Sequence, residues 1–172
     1  MPKPRHSTGN QQLDDLLGGG LLPGTLTVVA GATGIGKTQL GVTYAHHGSQ
    51  QETRTGLIFD VSSRGDSQSH ADYAERIFDW SLREMTPDAT WSADSFFDQP
   101  DMGDYLHLFS YSGRRVTRQD VDYDQWHDWQ TELNAKLQYG IAFMYGGFLA
   151  GARRVVVDGV EPVDRPHDSI QF

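Results

Sequence analysis

The chain has 172 residues, a formal net charge of −9 and no cysteine. This length suits one domain with a real core, and the lack of cysteine excludes disulfides, thiolate metal sites and a cysteine nucleophile. The acidic balance weighs against a broad grip on nucleic acid, no apolar run is long enough to span a bilayer, and the first residues lack the apolar segment of a secretory signal, so we expect a cytoplasmic protein.

Residues 1–6 are polar and include two prolines, so they are expected to form a flexible arm before a domain that covers residues 7–172. Three leucines then share one face at helical spacing, and a run of three glycines is expected to end that short helix. A Pro-Gly turn leads into Leu26–Ala30, whose apolar and β-branched residues predict a buried strand. The domain is therefore expected to begin with a short helix and a core strand.

The next stretch, Gly31–Thr38, matches the phosphate-binding pattern G-x-x-x-x-G-K-S/T in full. Its glycines can take backbone conformations closed to residues with a Cβ, so successive N–H groups can turn towards a phosphate. The start of the following helix would add the positive end of its dipole. Lys37 would bring a charge to the outer phosphates, and the Thr38 hydroxyl would ligate the magnesium ion that bridges them.

A glycine-rich turn with a surface lysine is the structural alternative, and the strand and helix expected on either side of the pattern disfavour it. Nucleotide binding is thus the predicted role of this loop. The predicted cofactor-binding residues are Gly31, Ala32, Thr33, Gly34, Ile35, Gly36, Lys37 and Thr38.

A resemblance to a known superfamily rests on the residues before and within this loop. The stretch has Thr8-Gly9, then the pattern Leu-Asp-x-Leu-Leu-Gly-Gly-Gly from Leu13, then the turn residues Pro23-Gly24 and the phosphate loop. This order resembles the opening of the RecA-like ATPases, and most of all their KaiC and RadA branch, over Thr8–Thr38. The resemblance implies ATP and Mg²⁺ as cofactors and a ring-forming homo-oligomer with nucleotide at the subunit contacts.

The rest of the chain alternates helical and strand patterns. The predicted elements are a helix over 39–47 that Gly48 ends, a strand over 55–61, a helix over 72–82, a surface loop over 86–103, a strand over 105–110, a helix over 122–150 and a strand over 153–158. Glycines inside the long helix predict either close packing or a break. Strands separated by helices imply right-handed crossovers, so the fold class is α/β with a mostly parallel sheet flanked by helices, as in a RecA-like P-loop core.

The run Val155–Val157 ends in Asp158. A carboxylate at the end of an apolar strand, downstream of a phosphate loop, is where a P-loop enzyme holds magnesium through water. A buried strand that ends in an Asp turn would look the same, and the loop together with the family order favours the metal role. The predicted metal residues are therefore Thr38 and Asp158. The family pattern continues with a small hydroxyl residue, whereas this chain has Gly159 there.

Hydrolysis also needs a carboxylate that orients or deprotonates the attacking water. In the family this is a Glu just past the strand that follows the phosphate-loop helix, often one of a Glu-Glu pair. Matching 57–61 to that strand places Ser62 and Ser63 at these positions, and a Ser hydroxyl is no base unaided at neutral pH. Loss of such a group typically removes ~10²–10⁴ from the rate. Asp60 and Asp66 are candidate substitutes, although Asp60 also fits an ordinary polar strand residue, and the catalytic residues stay unassigned.

RecA-like cores continue past the metal-binding strand with at least one more strand and helix, so we expect a core truncated at its C-terminal end, or a reduced variant that borrows an edge from a partner.

Six histidines lack metal-ligand spacing and are interpreted as solvated or packed side chains. They are His46, His47, His70, His107, His127 and His167.

Three functions remain open at this point. The first is a Mg-ATP-binding RecA/KaiC-like ATPase domain whose hydrolysis is slow or lost. The second is a non-hydrolysing ATP-binding module that regulates or assembles with partners. The third is a small-molecule phosphotransferase, which the RecA-like opening disfavours. Steady ATP turnover would distinguish the first from the second.

Overall fold

The computed structural model describes residues 4–62, 69–85, 103–108, 116–117, 121–160 and 169–170. Ser63, Asp66 and most of the loop predicted over 86–103 lie outside these ranges. The elements in chain order are α1 (Gln11–Leu16), α2 (Lys37–Gln51), β1 (Leu57–Asp60), α3 (His70–Phe78), β2 (Tyr105–His107), β3 (Val116–Thr117), α4 (Tyr123–Leu149), β4 (Val155–Asp158) and β5 (Ser169–Ile170).

The central sheet has three strands in the order β2-β1-β4, and both pairings are parallel. The predicted α/β class with a parallel sheet is therefore confirmed. Asp60 at the end of β1 lies in register with His107 on one side and with Asp158 on the other. Because parallel strands end at the same edge of a sheet, these three polar residues are brought side by side. A second, antiparallel sheet pairs β3 with β5.

The core lies on both faces of β1, whose four residues are all buried. Successive side chains of a strand point to opposite faces. Leu57 and Phe59 pack in a cluster with Phe143 of α4, while Ile58 packs in a second cluster with Val42 of α2. This fully buried strand places Asp60 at the junction of the helices and the sheet.

Helix α4 is continuous through its internal glycines, which serve close packing and do not break it. A Cβ at Gly140 would lie 2.8 Å from Phe59 Cζ, and one at Gly147 would overlap the Leu57 side chain. These two positions let the helix backbone approach β1 directly. Of the two outcomes that the sequence left open, close packing is the one observed.

The strand predicted over Leu26–Ala30 is absent, so that prediction was wrong. Residues 25–32 have no regular structure, and Leu26 and Val28 are 90% and 78% exposed. The prediction took apolar composition as a sign of burial, but a strand also needs a ladder partner. Strand β4 is an edge of the described sheet, and this segment does not pair with it.

The C-terminal ends of two helices differ most from the predicted helix boundaries. Helix α2 runs past Gly48 to Gln51. Gly48 allows a close approach of the chain and does not end the helix, since a Cβ there would lie 2.6 Å from the Arg54 carbonyl oxygen. Helix α3 ends at Phe78 and not at residue 82, since Asp79 takes a left-handed conformation with φ of 52° and caps it.

The opening segment, residues 6–21, is held by a buried carboxylate. Asp14 is 6% exposed and accepts hydrogen bonds from Ser7 Oγ, Thr8 N and Thr8 Oγ1. Burial opposes its charge, but these hydrogen bonds outweigh burial and hold the pKa of Asp14 below its ordinary value. Before it, the His6 backbone pairs with Leu21. The division into an arm, 1–6, and a domain, 7–172, stays a prediction.

None of the helices within the described ranges is long and apolar enough to cross a membrane.

Candidate nucleotide site

The phosphate-loop sequence leads directly into α2. Gly34 and Gly36 have φ of 85° and 92°, conformations that L side chains rarely adopt, and Gly36 is the N-cap of the helix. No side chain caps the helix, so its first N–H groups are not taken up by a capping oxygen. Residues 31–35 are exposed. The loop therefore presents backbone donors and a helix N-terminus on an open surface.

Lys37, the first residue of α2, folds back over this loop. Its Nζ atom donates hydrogen bonds to the Gly31 carbonyl at 3.0 Å and to the Ala32 carbonyl at 2.7 Å. Both acceptors belong to the start of the same loop, so the ammonium group lies inside the curve that the loop describes. A positive charge at that point suits an anion bound by the loop.

The two residues predicted to serve magnesium are in direct contact. Thr38 Oγ1 donates to Asp158 Oδ2 at 2.7 Å, although the two residues are 120 positions apart in the chain. Gly159 N donates to Asp158 Oδ1 at 2.8 Å. A hydroxyl and a carboxylate side by side supply oxygen ligands, which Mg²⁺ prefers. These two residues fit a magnesium ion, which they would help to hold beside the phosphate loop.

The carboxylate of Asp158 is ionised over the physiological range. The hydrogen bond from His70 and then the one from Thr38 favour the charged form against the opposing effect of burial, and the pKa falls to about 2. The described residues contain no group of three or more His, Cys, Asp or Glu side chains that could hold a metal. A metal at Asp158 would therefore depend on the phosphate loop for its remaining ligands.

Asp60 is 5% exposed and both of its oxygens are engaged. Oδ1 accepts from Ser62 N at 2.8 Å, and Oδ2 accepts from the Tyr105 hydroxyl at 3.0 Å. Burial, and then the charge of Asp60, raise the pKa of Tyr105 and keep that hydroxyl protonated as a donor. A carboxylate enclosed in this way is poorly exposed to an attacking water, which favours a polar strand residue over a general base.

Sequence reasoning missed the part that His70 takes in the site. It is packed, as one interpretation had it, but it is packed against both strand-end acids. Its Nε2 lies 3.0 Å from Asp158 Oδ2, and its Nδ1 lies 3.5 Å from Asp60 Oδ2. The sequence did contain a signal for the helix start that carries His70. Ser69 caps α3 by accepting from Asp72 N, and this Ser-x-x-Asp pattern marks a helix start.

Two of the positions at which we expect a departure from the family pattern, residues 62 and 159, lie against each other. Gly159 has φ of 85°, and a Cβ there would lie 2.6 Å from Ser62 Cα. A hydroxyl residue at 159 would therefore displace the backbone at Ser62. His107 Nε2 lies 3.2 Å from the Ser62 carbonyl oxygen. Half-buried Ser62 is thus in contact with both β2 and the residue after β4.

The sequence model of the family described as "ATPase: KaiC" matches residues 6–102, more than half of the 172 residues. The chain belongs to the KaiC ATPase family. The predicted relationship to RecA-like P-loop ATPases of the KaiC and RadA branch is confirmed. In this KaiC-family domain the phosphate loop lies inside the matched range, whereas Asp158 lies outside it, so the part assigned to Asp158 rests on geometry.

Two kinds of relative are similar to this KaiC-family chain. The DNA repair protein RadA of Mycobacterium tuberculosis, in strains CDC 1551 / Oshkosh and H37Rv, is 38% identical over 65 residues, which cover 38% of this chain and 14% of RadA. The circadian clock oscillator protein KaiC of Prochlorococcus marinus strain MIT 9313 is 32% identical over 107 residues, 62% of this chain and 21% of KaiC. The matched region therefore spans about a fifth or less of these proteins. No solved structure gives a significant match.

Proposed function

We propose that this KaiC-family domain binds Mg-ATP through Gly31–Thr38 and Asp158, and that its hydrolysis of ATP is slow or lost. The observation that carries the proposal is the 2.7 Å contact between Thr38 Oγ1 and Asp158 Oδ2. It joins the residue that ends the phosphate-binding pattern to the acid that ends β4. When bound, the ion would neutralise charge on the outer phosphates.

The chain's own residues have separate parts in this proposal. The loop N–H groups and the start of α2 bind phosphate oxygens, and Lys37 adds its charge. Thr38 and Asp158 orient the ion with a hydroxyl and an ionised carboxylate. The positions expected to hold a general base are Ser62 and Ser63, and the nearby Asp60 is enclosed by its own hydrogen bonds. The described residues are therefore better suited to bind Mg-ATP than to activate an attacking water.

This imbalance favours a second function, a non-hydrolysing ATP-binding module that regulates or assembles with partners. We further propose that the domain acts in the cytoplasm. We also propose that it forms a homo-oligomer, because the family resemblance implies nucleotide at subunit contacts. Phosphate release under saturating Mg-ATP separates the two functions. Steady turnover supports the ATPase, and tight binding with release no faster than the background supports the module.

Replacing Ser62 by Glu should raise phosphate release by up to about 10²-fold, the lower end of what a general base contributes. The reason is that Ser62 stands where the family has its water-activating Glu. Steady-state phosphate release with saturating Mg-ATP is the measurement, and S62Q is the matched control because it has the same shape without a base. Equal turnover in S62E and S62Q would contradict the assignment of a missing base at this position. The parallel change at Ser63 tests the second position.

A further inference from the structure

Asp158 is held from two sides by side-chain donors. Thr38 Oγ1 reaches its Oδ2 atom from α2 at 2.7 Å, and His70 Nε2 reaches the same atom from the start of α3 at 3.0 Å. The two donors belong to different helices. Together they restrict the rotation of a carboxylate that lies at an edge strand of the described sheet.

His70 is itself fixed by its surroundings. It is 5% exposed, and its ring lies 5.3 Å from the Tyr105 ring, tilted by 39°. Tyr105 in turn donates its hydroxyl proton to Asp60 Oδ2, the atom nearest to His70 Nδ1. Tyr105, Asp60 and His70 therefore form a chain of contacts that reaches Asp158 independently of Thr38. The support runs across all three strands of the central sheet.

The surroundings of the second ring nitrogen of His70, Nδ1, indicate that this residue does more than fill space. Nδ1 is buried and has no hydrogen-bond partner among the described residues, and it points towards Asp60 at 3.5 Å. A buried polar atom without a partner is costly, so an apolar side chain would fill this space more favourably if filling were all that it needed. What the imidazole supplies, and an apolar side chain cannot, is the N–H that Nε2 directs at Asp158.

We propose that His70 is a positioning residue of the magnesium site, which holds the Asp158 carboxylate in the orientation that the metal and Thr38 require. The proposal rests on the proposed function, because it deepens the role of Asp158. His70 acts through the hydrogen bond that it donates and touches neither nucleotide nor metal. Side chains that hold a metal-orienting carboxylate typically contribute about 10- to 100-fold to metal affinity.

The test compares two amides at position 70. A Gln side chain carries its nitrogen as many bonds from Cα as His Nε2, so H70Q can keep the donor to Asp158. An Asn side chain carries its nitrogen at the level of Nδ1, so H70N loses that donor while it remains polar and small. The readout is the affinity for a fluorescent ATP analogue, measured once with excess Mg²⁺ and once with EDTA. The ratio of the two dissociation constants reports the metal separately from the nucleotide, and thermal unfolding of each variant reports the fold.

We expect H70N to reduce this magnesium-dependent ratio by about 10-fold or more, and H70Q to stay within about 3-fold of the wild type. Both variants should bind the analogue in EDTA as the wild type does. Equal ratios in H70N, H70Q and the wild type would overturn the positioning role and leave the proposed function intact. A parallel loss of binding with and without Mg²⁺ in both variants would also overturn it, because that pattern describes a structural defect. No magnesium-dependent binding by the wild type would overturn both proposals.

Discussion

Replacing Lys37 by Ala should weaken ATP binding by about 10- to 100-fold, because a hydrogen bond to a charged group contributes about 1.5–3 kcal/mol and every 1.4 kcal/mol is tenfold in affinity. The Nζ atom of Lys37 lies over the loop start, where it contacts the carbonyl oxygens of Gly31 and Ala32. Its removal takes away both the charge offered to the phosphates and a tether that closes the loop. Isothermal titration of ATP into the two proteins measures the change.

The fold should survive this substitution, since the hydrogen bonds that Lys37 makes to the described part of the chain lie within the exposed loop. Lys136→Ala is the matched control: it removes a lysine on α4 that pairs with Glu132 at 2.7 Å, one turn away on the same helix. We expect K136A to bind ATP as the wild type does. Affinity in K37A equal to that in K136A would refute the assignment of the phosphate loop.

Replacing Arg154 by Met should lower the free energy of unfolding by about 3–5 kcal/mol, the usual cost of removing one partner from a buried ion pair. Arg154 is 1% exposed and contacts both carboxylate oxygens of Glu52, at 2.7 and 2.9 Å. Its Nη1 also donates to the carbonyl oxygens of Ser7 and Tyr44. One side chain thus joins the opening segment, α2 and β4. Urea unfolding followed by circular dichroism measures the loss.

The neighbouring Arg153 provides the control, because it is exposed and, among the residues that the structure describes, donates only to backbone carbonyls. Arg153→Met should change the free energy of unfolding by no more than about 0.5 kcal/mol, as surface substitutions usually do. Combining Arg154→Met with Glu52→Gln should recover part of the loss, since residue 52 then no longer carries a charge that has lost its Arg154 partner. A loss in R154M no larger than that in R153M would contradict the buried-pair account.

The ion pair between Arg154 and Glu52 also predicts how pH changes the difference in unfolding free energy between the wild type and R154M. Burial opposes the charge on Glu52, but the hydrogen bonds from Arg154 and His6 outweigh it and hold the pKa of Glu52 below its ordinary value of 4.5. The stabilisation is therefore complete above pH 4.5 and is lost as pH falls through the lower value in the folded protein. The gap between the wild type and R154M should narrow below pH 4.5.

Sequence periodicity predicted those elements whose burial is set by local pattern. The apolar run that ends in Asp158 became β4, and the recurring apolar positions of α4 became one continuous helix. Leu26–Ala30 has the same kind of composition as β4 but is exposed, because a ladder partner is a property of the whole fold and cannot be read from a segment.

The same contrast holds for the candidate site. Residues in contiguous motifs could be predicted from the sequence, whereas contacts between residues far apart in the chain could not. The loop pattern is contiguous, so its residues could be named in advance, and Asp158 could be placed by its position at a strand end. His70 lies 88 positions from Asp158, and only the parallel order of the strands and the start of α3 bring the two together. The packing of Gly159 against Ser62 is likewise tertiary, and it explains why a residue without a Cβ fits at position 159.

The most direct test of the central claim is isothermal titration of ATP into the wild-type protein, once with Mg²⁺ and once with EDTA. We expect saturable binding of one ATP per chain with Mg²⁺, weaker binding in EDTA, and a smaller effect of Mg²⁺ in Asp158→Asn, because Asp158 would then lack the charge that orients the ion. Absence of binding, or an affinity that neither EDTA nor D158N changes, would contradict a Mg-ATP site built from Gly31–Thr38 and Asp158.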